Sequence, residues 1–397
     1  MTASRTVMIA GAGVGGLVAA LAIAQRGFRV IVFEQMEGVG ELGAGIQLSP
    51  NASRILISLG LEQQLRPFVV APTELIVMHA RTARVLARAS LAGAVEKRYG
   101  APYWVIHRGD LQSTLADAVS GNPDISLRLG TRVEDFASHK DGVTVSTTTS
   151  HRAGEERGMA LVCADGLWSN LRRRLGHREE PRFAHYTAWR ALAAAGAAAS
   201  DVASPDVHLW LGRHAHLVYY PVRGGSVTNI VAIIRDNWRE SGWSAPGDRA
   251  EILSRYPAGM WPASARAILA APENWRKWAL FDLQPFISWG KGAVTLLGDA
   301  AHPMLPYLAQ GAAAAIEDAA VLAGSLAETP SEPPSALRRY ESRRYRRTAR
   351  IQRAARRNGT IYHMGGAETF LRTLASLAMR QRGLLARYDW LYGWNPT

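Results

Sequence analysis

The sequence predicts an α/β protein. A Rossmann-like nucleotide-binding domain, discontinuous in the chain, carries an inserted, mainly antiparallel sheet and is followed by C-terminal helices. Three observations predict this. A glycine-rich turn, Gly11-x-Gly13-x-x-Gly16, separates a short apolar run from a helical one. Strand-like runs crowd together between Tyr186 and Ile234. A further apolar run, Ala293–Leu297, leads straight into Gly298-Asp299-Ala300-Ala301-His302-Pro303 and then into a long Ala-rich helix from Gly311.

Each element has its own warrant. Thr6–Ala10 is strand-like by length and flanking glycines. Val14–Arg26 reads as a helix ending at Gly27, where a C-terminal glycine is expected. Arg29–Glu34 is a second buried strand, completing a βαβ unit. Asn51–Leu59 and Gly109–Val119 are helical, whereas Leu75–Ser90 keeps no clear period. Leu127–Val133 reads as a short strand, Asp141–Ser150 as part of a hairpin and Leu161–Ala164 as a buried strand. Tyr186–Ala195, Val207–Leu211, His216–Val222 and Val227–Ile234 form the antiparallel series, with Gly224-Gly225 as a hairpin turn. Two short helices, Asp248–Tyr256 and Ala263–Ala270, and a strand, Ala279–Phe286, precede the Gly298-Asp299 segment. The expected division is 1–72, 100–180 and 286–328 for the nucleotide domain, 73–99 and 181–285 for the inserted sheet, and 335–397 for the helical end. A ligand then belongs between the two domains.

Composition sets outer limits. With 397 residues, 48% apolar and 20% charged, the chain is globular and long enough for two or three domains. A net charge of +13 favours anionic partners. Much of the excess sits in Arg338, Arg339, Arg343, Arg344, Arg346, Arg347, Arg350, Arg353, Arg356 and Arg357, a run that reads as a solvated helix face. No nucleic-acid-binding motif accompanies it, so nucleic acid is not expected as a partner. Cys163 is the single cysteine, which excludes a disulfide within the chain and fits a cytoplasmic protein. Residues 6–24 could pass for a signal-peptide core, but glycines interrupt them and a second strand follows at once. No other run is long enough to span a bilayer. No residues are assigned to a metal.

The glycine turn carries the first chemical signal. Gly11, Gly13 and Gly16 permit a tight turn and close approach to a pyrophosphate, with Val14 and Gly15 in the helical turn that faces the anion. Glu34 lies 18 residues beyond Gly16, the distance expected for a carboxylate that accepts from ribose hydroxyls. Asp165-Gly166, with Ser169 and Arg172, either braces the pyrophosphate or forms a plain strand-to-helix turn. Asp299 ends a strand where open α/β sheets bind ligands, and can hold a sugar-alcohol hydroxyl. The helix opening at Gly311 and Ala312 presents free N–H groups and a positive dipole end.

These motifs resemble those of the class A flavoprotein monooxygenases, the aromatic-hydroxylase family. The Gly298-Asp299 segment is similar to the family's Gly-Asp motif and Asp165-Gly166 to its Asp-Gly motif. His107-Arg108-Gly109-Asp110-Leu111, with Gln112 behind it, resembles the segment whose Arg meets the flavin pyrophosphate. Gly43-Ala44-Gly45-Ile46-Gln47-Leu48-Ser49-Pro50-Asn51 resembles the mobile flavin-side loop. His302-Pro303-Met304 through Gln310-Gly311-Ala312, Ile316-Glu317-Asp318-Ala319 and Tyr388-Asp389-Trp390-Leu391-Tyr392-Gly393 resemble the salicylate, 3-hydroxybenzoate and 6-hydroxynicotinate hydroxylase branch. One departure is Ala309, where many members have Gly.

The resemblance implies non-covalent FAD, NADH or NADPH as reductant, and O2. The implied reaction is hydroxylation of a small anionic aromatic, such as salicylate or a hydroxybenzoate, through a C4a-hydroperoxyflavin. It also implies a monomer or homodimer with no integral membrane part. The expected cofactor contacts are Gly11, Gly13, Val14, Gly15, Gly16, Glu34, Ala44, Gly45, Arg108, Gln112, Asp165, Gly298, Asp299, Gly311 and Ala312. On the inserted sheet, His216, Tyr219 and Tyr220 are the candidate catalytic contacts, joined by His302 beside the flavin. Alternation places His216, Val218 and Tyr220 on one side and Tyr219 on the other, leaving open which side is inward. Arg190 is expected to hold a substrate carboxylate, with Gln47 and Pro303 nearby. Two alternatives stand beside this reading: a flavin oxidase or reductase acting on an apolar substrate, and a non-catalytic nucleotide-binding module using the Arg-rich helix.

Overall fold

A computed structural model describes residues 5–38, 44–150, 152–196, 205–239, 244–363 and 384–396. The chain begins with β1 (Thr6–Ala10), α1 (Val14–Ala24) and β2 (Arg29–Phe33), then β3 (Gly45–Leu48), α2 (Pro50–Ser58) and α3 (Glu62–Leu65). β4 (Glu74–His79), β5 (Val85–Ser90), α4 (Ala94–Tyr99), β6 (Trp104–His107), α5 (Arg108–Ser120) and β7 (Ile125–Arg128) follow. Next come β8 (Arg132–His139), β9 (Gly142–Thr148), β10 (Ala153–Gly158), β11 (Ala160–Cys163) and α6 (Asn170–Arg174). β12 (Arg182–Ala194), β13 (Val207–Gly212), β14 (Ala215–Val222), β15 (Val227–Arg235), β16 (Ala245–Gly247), α7 (Arg249–Arg255), α8 (Ala263–Ala270) and β17 (Trp275–Asp282) lie between the glycine turn and the Gly-Asp segment. β18 (Gly290–Lys291), β19 (Val294–Leu296), α9 (Gly311–Glu328) and α10 (Pro333–His363) close the main body.

The nucleotide-domain sheet has six strands in the order β18-β19-β11-β1-β2-β7. Its body is parallel, with β18 antiparallel at one edge. Such a sheet needs cover on both faces. Helix α1 supplies it on one face by burying Leu17, Val18, Ala19, Ala20, Ile23 and Ala24, which fits an Ala- and Val-rich helix with no polar stripe. The inserted sheet has eight strands, β16-β17-β12-β15-β14-β13-β4-β5, antiparallel except where β13 meets β4. Helices α7 and α8 cover its outer face over a core that includes Trp189, Leu217, Tyr219, Ile230, Ile252 and Trp275. The opposite, inner face looks back toward β3 and α10, because Tyr220 and Asn229 touch Gly45, and Val218 packs on the same Val77, Leu209 and Leu211 cluster as Ile361 and Tyr362 of α10.

Three expectations are corrected. Leu75–Ser90 is a hairpin, β4–β5, whose alternation is blurred by a register shift between Val77 and Met78. Leu127–Val133 splits into the end of β7 and the start of β8. The Arg-rich run is not a uniformly solvated face. Arg344 is fully buried, 2.7 Å from Glu317 and 2.6 Å from Asp318, and Arg347 lies 2.6 Å from Glu317. The half-buried Arg339 and the exposed Arg343 pair with Glu328 at the end of α9.

The buried ion cluster yields a stability prediction. Burial works to raise the Asp318 pKa, but His302 and Arg344 more than offset it, leaving the carboxyl below its usual range. Its contribution is therefore present above the unfolded carboxyl pKa, about 3.9, and lost as the pH falls below that value. Arg344→Leu leaves Asp318 without its guanidinium and Glu317 with Arg347 alone, and lowers unfolding stability by about 3–5 kcal/mol in a denaturant titration. The loss should shrink as the pH falls below about 4, where the Asp318 carboxyl protonates.

Candidate functional site

The helix starts shape the cleft. Gly11 has φ 110°, and a Cβ on it would lie 2.4 Å from the Ala164 carbonyl oxygen. A Cβ on Gly16 would lie 2.0 Å from the Gly11 oxygen, so the turn closes only with glycine at both positions. Gly13 differs, since a Cβ there meets nothing within 4 Å and would project from the first turn of α1. Val14 and Gly15 begin that turn, which has no acidic residue and no side-chain cap. Glu34 accepts from the N–H of Ala12 at 2.8 Å and of Met36 at 3.0 Å, leaving lone pairs for further hydroxyls. Gln112 donates to the Ala12 carbonyl at 3.0 Å, and its buried Oε1 has no partner among the described residues.

The second helix start lies beside the first. Gly15 packs against Leu297 and Ala315, where a Cβ would stand 2.8 Å and 3.0 Å from their side chains. Gly298, at φ 63°, packs on the same Ala315. Helix α9 opens at Gly311 and Ala312 with no acidic residue in its first turn and no side-chain cap. Its N-terminal neighbour Gln310 is turned inward instead, donating to Ser49 and accepting from Asn51. Asp299 lies beside Gly311 and is acted on by the Arg108 charge. The Asp299 side chain reaches solvent along one side and is otherwise surrounded by protein, which pushes its pKa up. Arg108 opens α5, its N–H bonded to the Ala44 carbonyl at 2.8 Å. Ala44 and Gly45 therefore border the same cleft, while Gly43 lies outside the described residues.

These features fit an extended dinucleotide with a flavin at one end. The open face of Gly13 and the uncapped start of α1 suit a pyrophosphate, Glu34 a ribose, and Asp299 with Arg108 the connecting chain. The N–H groups of Gly311 and Ala312 suit the anionic edge of a reduced ring. Asp165 is placed differently from its expected role, because its oxygens accept from Ser169 Oγ at 2.6 Å and Leu171 N at 3.2 Å. It caps α6 within its own turn.

The inner sheet face supplies the other wall. Cross-strand pairing of His216 with Ile233, Val218 with Val231 and Tyr220 with Asn229 puts His216 and Tyr220 on this face. Arg190, opposite Val231, shares it and lies over the Trp278 ring at 5.1 Å. Tyr219 is on the outer face, stacked on His208 at 4.5 Å, so it leaves the set of candidate contacts. Gln47 accepts from Tyr103 Oη at 2.6 Å and hydrogen-bonds Tyr220. Burial raises the Tyr220 pKa, opposed by Arg190 and Gln47. His216 is buried, its Nδ1 2.8 Å from His363 Nε2, and burial together with His363 holds it well below the usual histidine range.

Two expected residues sit elsewhere. His302 Nε2 is 2.6 Å from Asp318, and its ring lies against Trp289 in the nucleotide-domain core. It braces the loop rather than facing the inner sheet. The Pro303 carbonyl accepts from Gln352 of α10 at 2.8 Å, so this proline anchors the same loop. Sequence reasoning missed Tyr103, Asn229, Tyr307 and His363. The buried Tyr307 hydroxyl has no partner among the described residues, and its ring lies 5.6 Å from that of His216.

Comparison with known proteins agrees with this geometry. The family described as FAD binding domain matches residues 4–355, and the chain belongs to it. The protein is an FAD-dependent aromatic-ring monooxygenase of the class A flavin hydroxylases. It is 36% identical over 388 residues to a 3-hydroxybenzoate 6-hydroxylase of Klebsiella oxytoca, covering 98% of this chain and 96% of the relative. A 6-hydroxynicotinate 3-monooxygenase of Pseudomonas fluorescens is 32% identical, with 90% and 92% covered. Among solved structures, a salicylate hydroxylase substrate complex has a TM-score of 0.83 at 25% identity, covering 100% of this chain and 97% of that one.

The glycine turn gives a paired prediction. Gly13→Val projects into the open face of the turn and should weaken FAD binding at least tenfold, about 1.4 kcal/mol, with little change in apoprotein melting temperature. Gly16→Val collides with backbone and should cost the fold itself. Flavin titration and thermal melts of the two apoproteins separate these outcomes.

Proposed function

We propose that the chain hydroxylates a small phenolic carboxylic acid, with 3-hydroxybenzoate the first candidate, using NADH or NADPH and O2. The observation that carries this reading is the grouping of His216, Tyr220, Arg190 and Gln47 on one wall, facing the loop before α9. Arg190 suits a ring carboxylate, because a guanidinium can pair with both of its oxygens. His216, kept neutral by burial, suits a phenol proton. Tyr220 and Tyr103, linked through Gln47, suit orientation of the ring. Burial of this aromatic wall excludes water from the reacting centre. When bound, FAD would supply the chemistry that accepts hydride from the nicotinamide and activates O2. Gly11, Gly13, Val14, Gly15, Gly16, Glu34, Ala44, Gly45, Arg108, Gln112, Gly298, Asp299, Gly311 and Ala312 would hold it without a covalent link.

The similarity to a 3-hydroxybenzoate 6-hydroxylase over 98% of the chain supports this choice of substrate. In the same reading the nucleotide-binding and inserted-sheet parts divide cofactor and substrate duties. No helix among the described residues is long and apolar enough to cross a membrane. A cytoplasmic monomer or homodimer is the working arrangement.

The test is stimulation of NADH and NADPH oxidation by 3-hydroxybenzoate, salicylate and 6-hydroxynicotinate, with product identification. A hydroxylated product supports the reading, and stimulated oxidation that yields peroxide alone overturns it. Arg190→Gln should raise KM for the aromatic acid by some 30-fold, about 2 kcal/mol, while leaving the KM of the matching phenol without a carboxylate nearly unchanged.

A further inference from the structure

His216 and His363 form a buried pair whose partner ring comes from the last turn of α10. The facing nitrogens, His216 Nδ1 and His363 Nε2, are 2.8 Å apart, and the two residues are 2% and 5% exposed. At that distance only one proton fits between them, so one ring donates and the other accepts. The groups around the pair are Tyr256, whose hydroxyl donates to the His216 carbonyl, and Tyr307 and Tyr362, whose rings meet His216 edge-on. Tyr186 stacks on His363 at 4.3 Å, and His214 acts on His363 through its charge. No carboxylate is among these neighbours, so the pair rests neutral.

We propose that His363 is the positioning residue for deprotonation of the substrate phenol: it accepts the Nδ1–H of His216 and so presents the Nε2 lone pair of His216 to the hydroxyl. This inference rests on the phenolic-substrate reading. The phenol O–H bond breaks and its proton goes to His216 Nε2. The Nδ1 proton of His216 passes to His363 Nε2, leaving phenolate on the substrate and the positive charge on His363. The charge therefore ends one ring away from the phenolate, and His216 is returned to a neutral form.

The test uses holoenzyme with 3-hydroxybenzoate as probe, after wild-type turnover on it has been shown. His363→Phe keeps an aromatic ring against Tyr186 but removes the acceptor. Its kcat should fall about 100-fold at pH 7, the range of a lost general base, with KM little changed. The loss should shrink as the pH approaches the phenol's own pKa, near 10, because the substrate then arrives ionised. His363→Gln, which can accept the Nδ1–H but cannot take the proton, should fall between the two. The phenolate absorption that appears on substrate binding at neutral pH should be absent in His363→Phe. Parallel pH profiles of wild type and His363→Phe, or an equal phenolate band in both, overturn the proposal. If neither variant retains FAD, nitrogen-15 spectra of the wild type decide. An Nδ1–H tautomer at His216 supports it, and an Nε2–H tautomer overturns it. Absence of wild-type turnover on every phenolic acid sinks the substrate reading, while the tautomer of the pair can still be read separately.

Discussion

The structure depends on one guanidinium. Helix α9 places two acids in succession, Glu317 and Asp318, both without solvent contact. Adjacent buried carboxylates repel strongly in a low-dielectric interior. Arg344 from α10 lies between them and, with Arg347 on Glu317, makes the arrangement tenable. The remaining lone pairs then reach outward. Glu317 takes the Asn51 amide at 2.6 Å, and Asp318 takes the Gly298 N–H at 3.0 Å and His302 at 2.6 Å. One ion cluster thus fixes the start of α2, the Gly-Asp turn and the axis of α9 against α10.

With that axis fixed, small residues set the depth of the cleft. Gly15, Gly298 and Ala315 let the starts of α1 and α9 approach closely, so two uncapped, positive helix ends share one hollow. Glu34 and Asp299 supply acceptors for hydroxyls, and Arg108 adds a cation near Asp299. Donors for anionic groups and acceptors for sugar hydroxyls therefore alternate along the same path, which is the pattern an adenine-to-flavin dinucleotide presents.

How much of this was legible varied with the distance over which the signal acts. The βαβ unit, Glu34 and the Gly-Asp segment were readable because turn geometry and strand ends are local constraints. The parity of β14 was readable too, separating Tyr219 from His216 and Tyr220. The inward side was not, because it is decided by α7 and α8 covering the other face. Arg344 looked like any other member of an Arg run, since its two acids lie on a separate helix. His302 looked catalytic by its place in the motif, and only the Asp318 contact shows that it serves the loop. His363 carried no signal at all, being one histidine at the end of a polar helix. Its partner lies 147 residues away.

The contact between Gly45 and the inner sheet has a wider meaning. The Gly45 N–H donates to Asn229 Oδ1 at 2.7 Å, and a Cβ on Gly45 would fall 2.5 Å from the Tyr220 ring. The strand that borders the flavin cleft is thus seated directly on two side chains of the candidate substrate wall. Cofactor placement and ring selectivity share atoms and do not drift independently. A lineage exploring new aromatic acids would find β14 and β15 poor places to begin at Tyr220 and Asn229. The freer ground is Arg190 and its Trp278 neighbour on β12 and β17, farther from that seat.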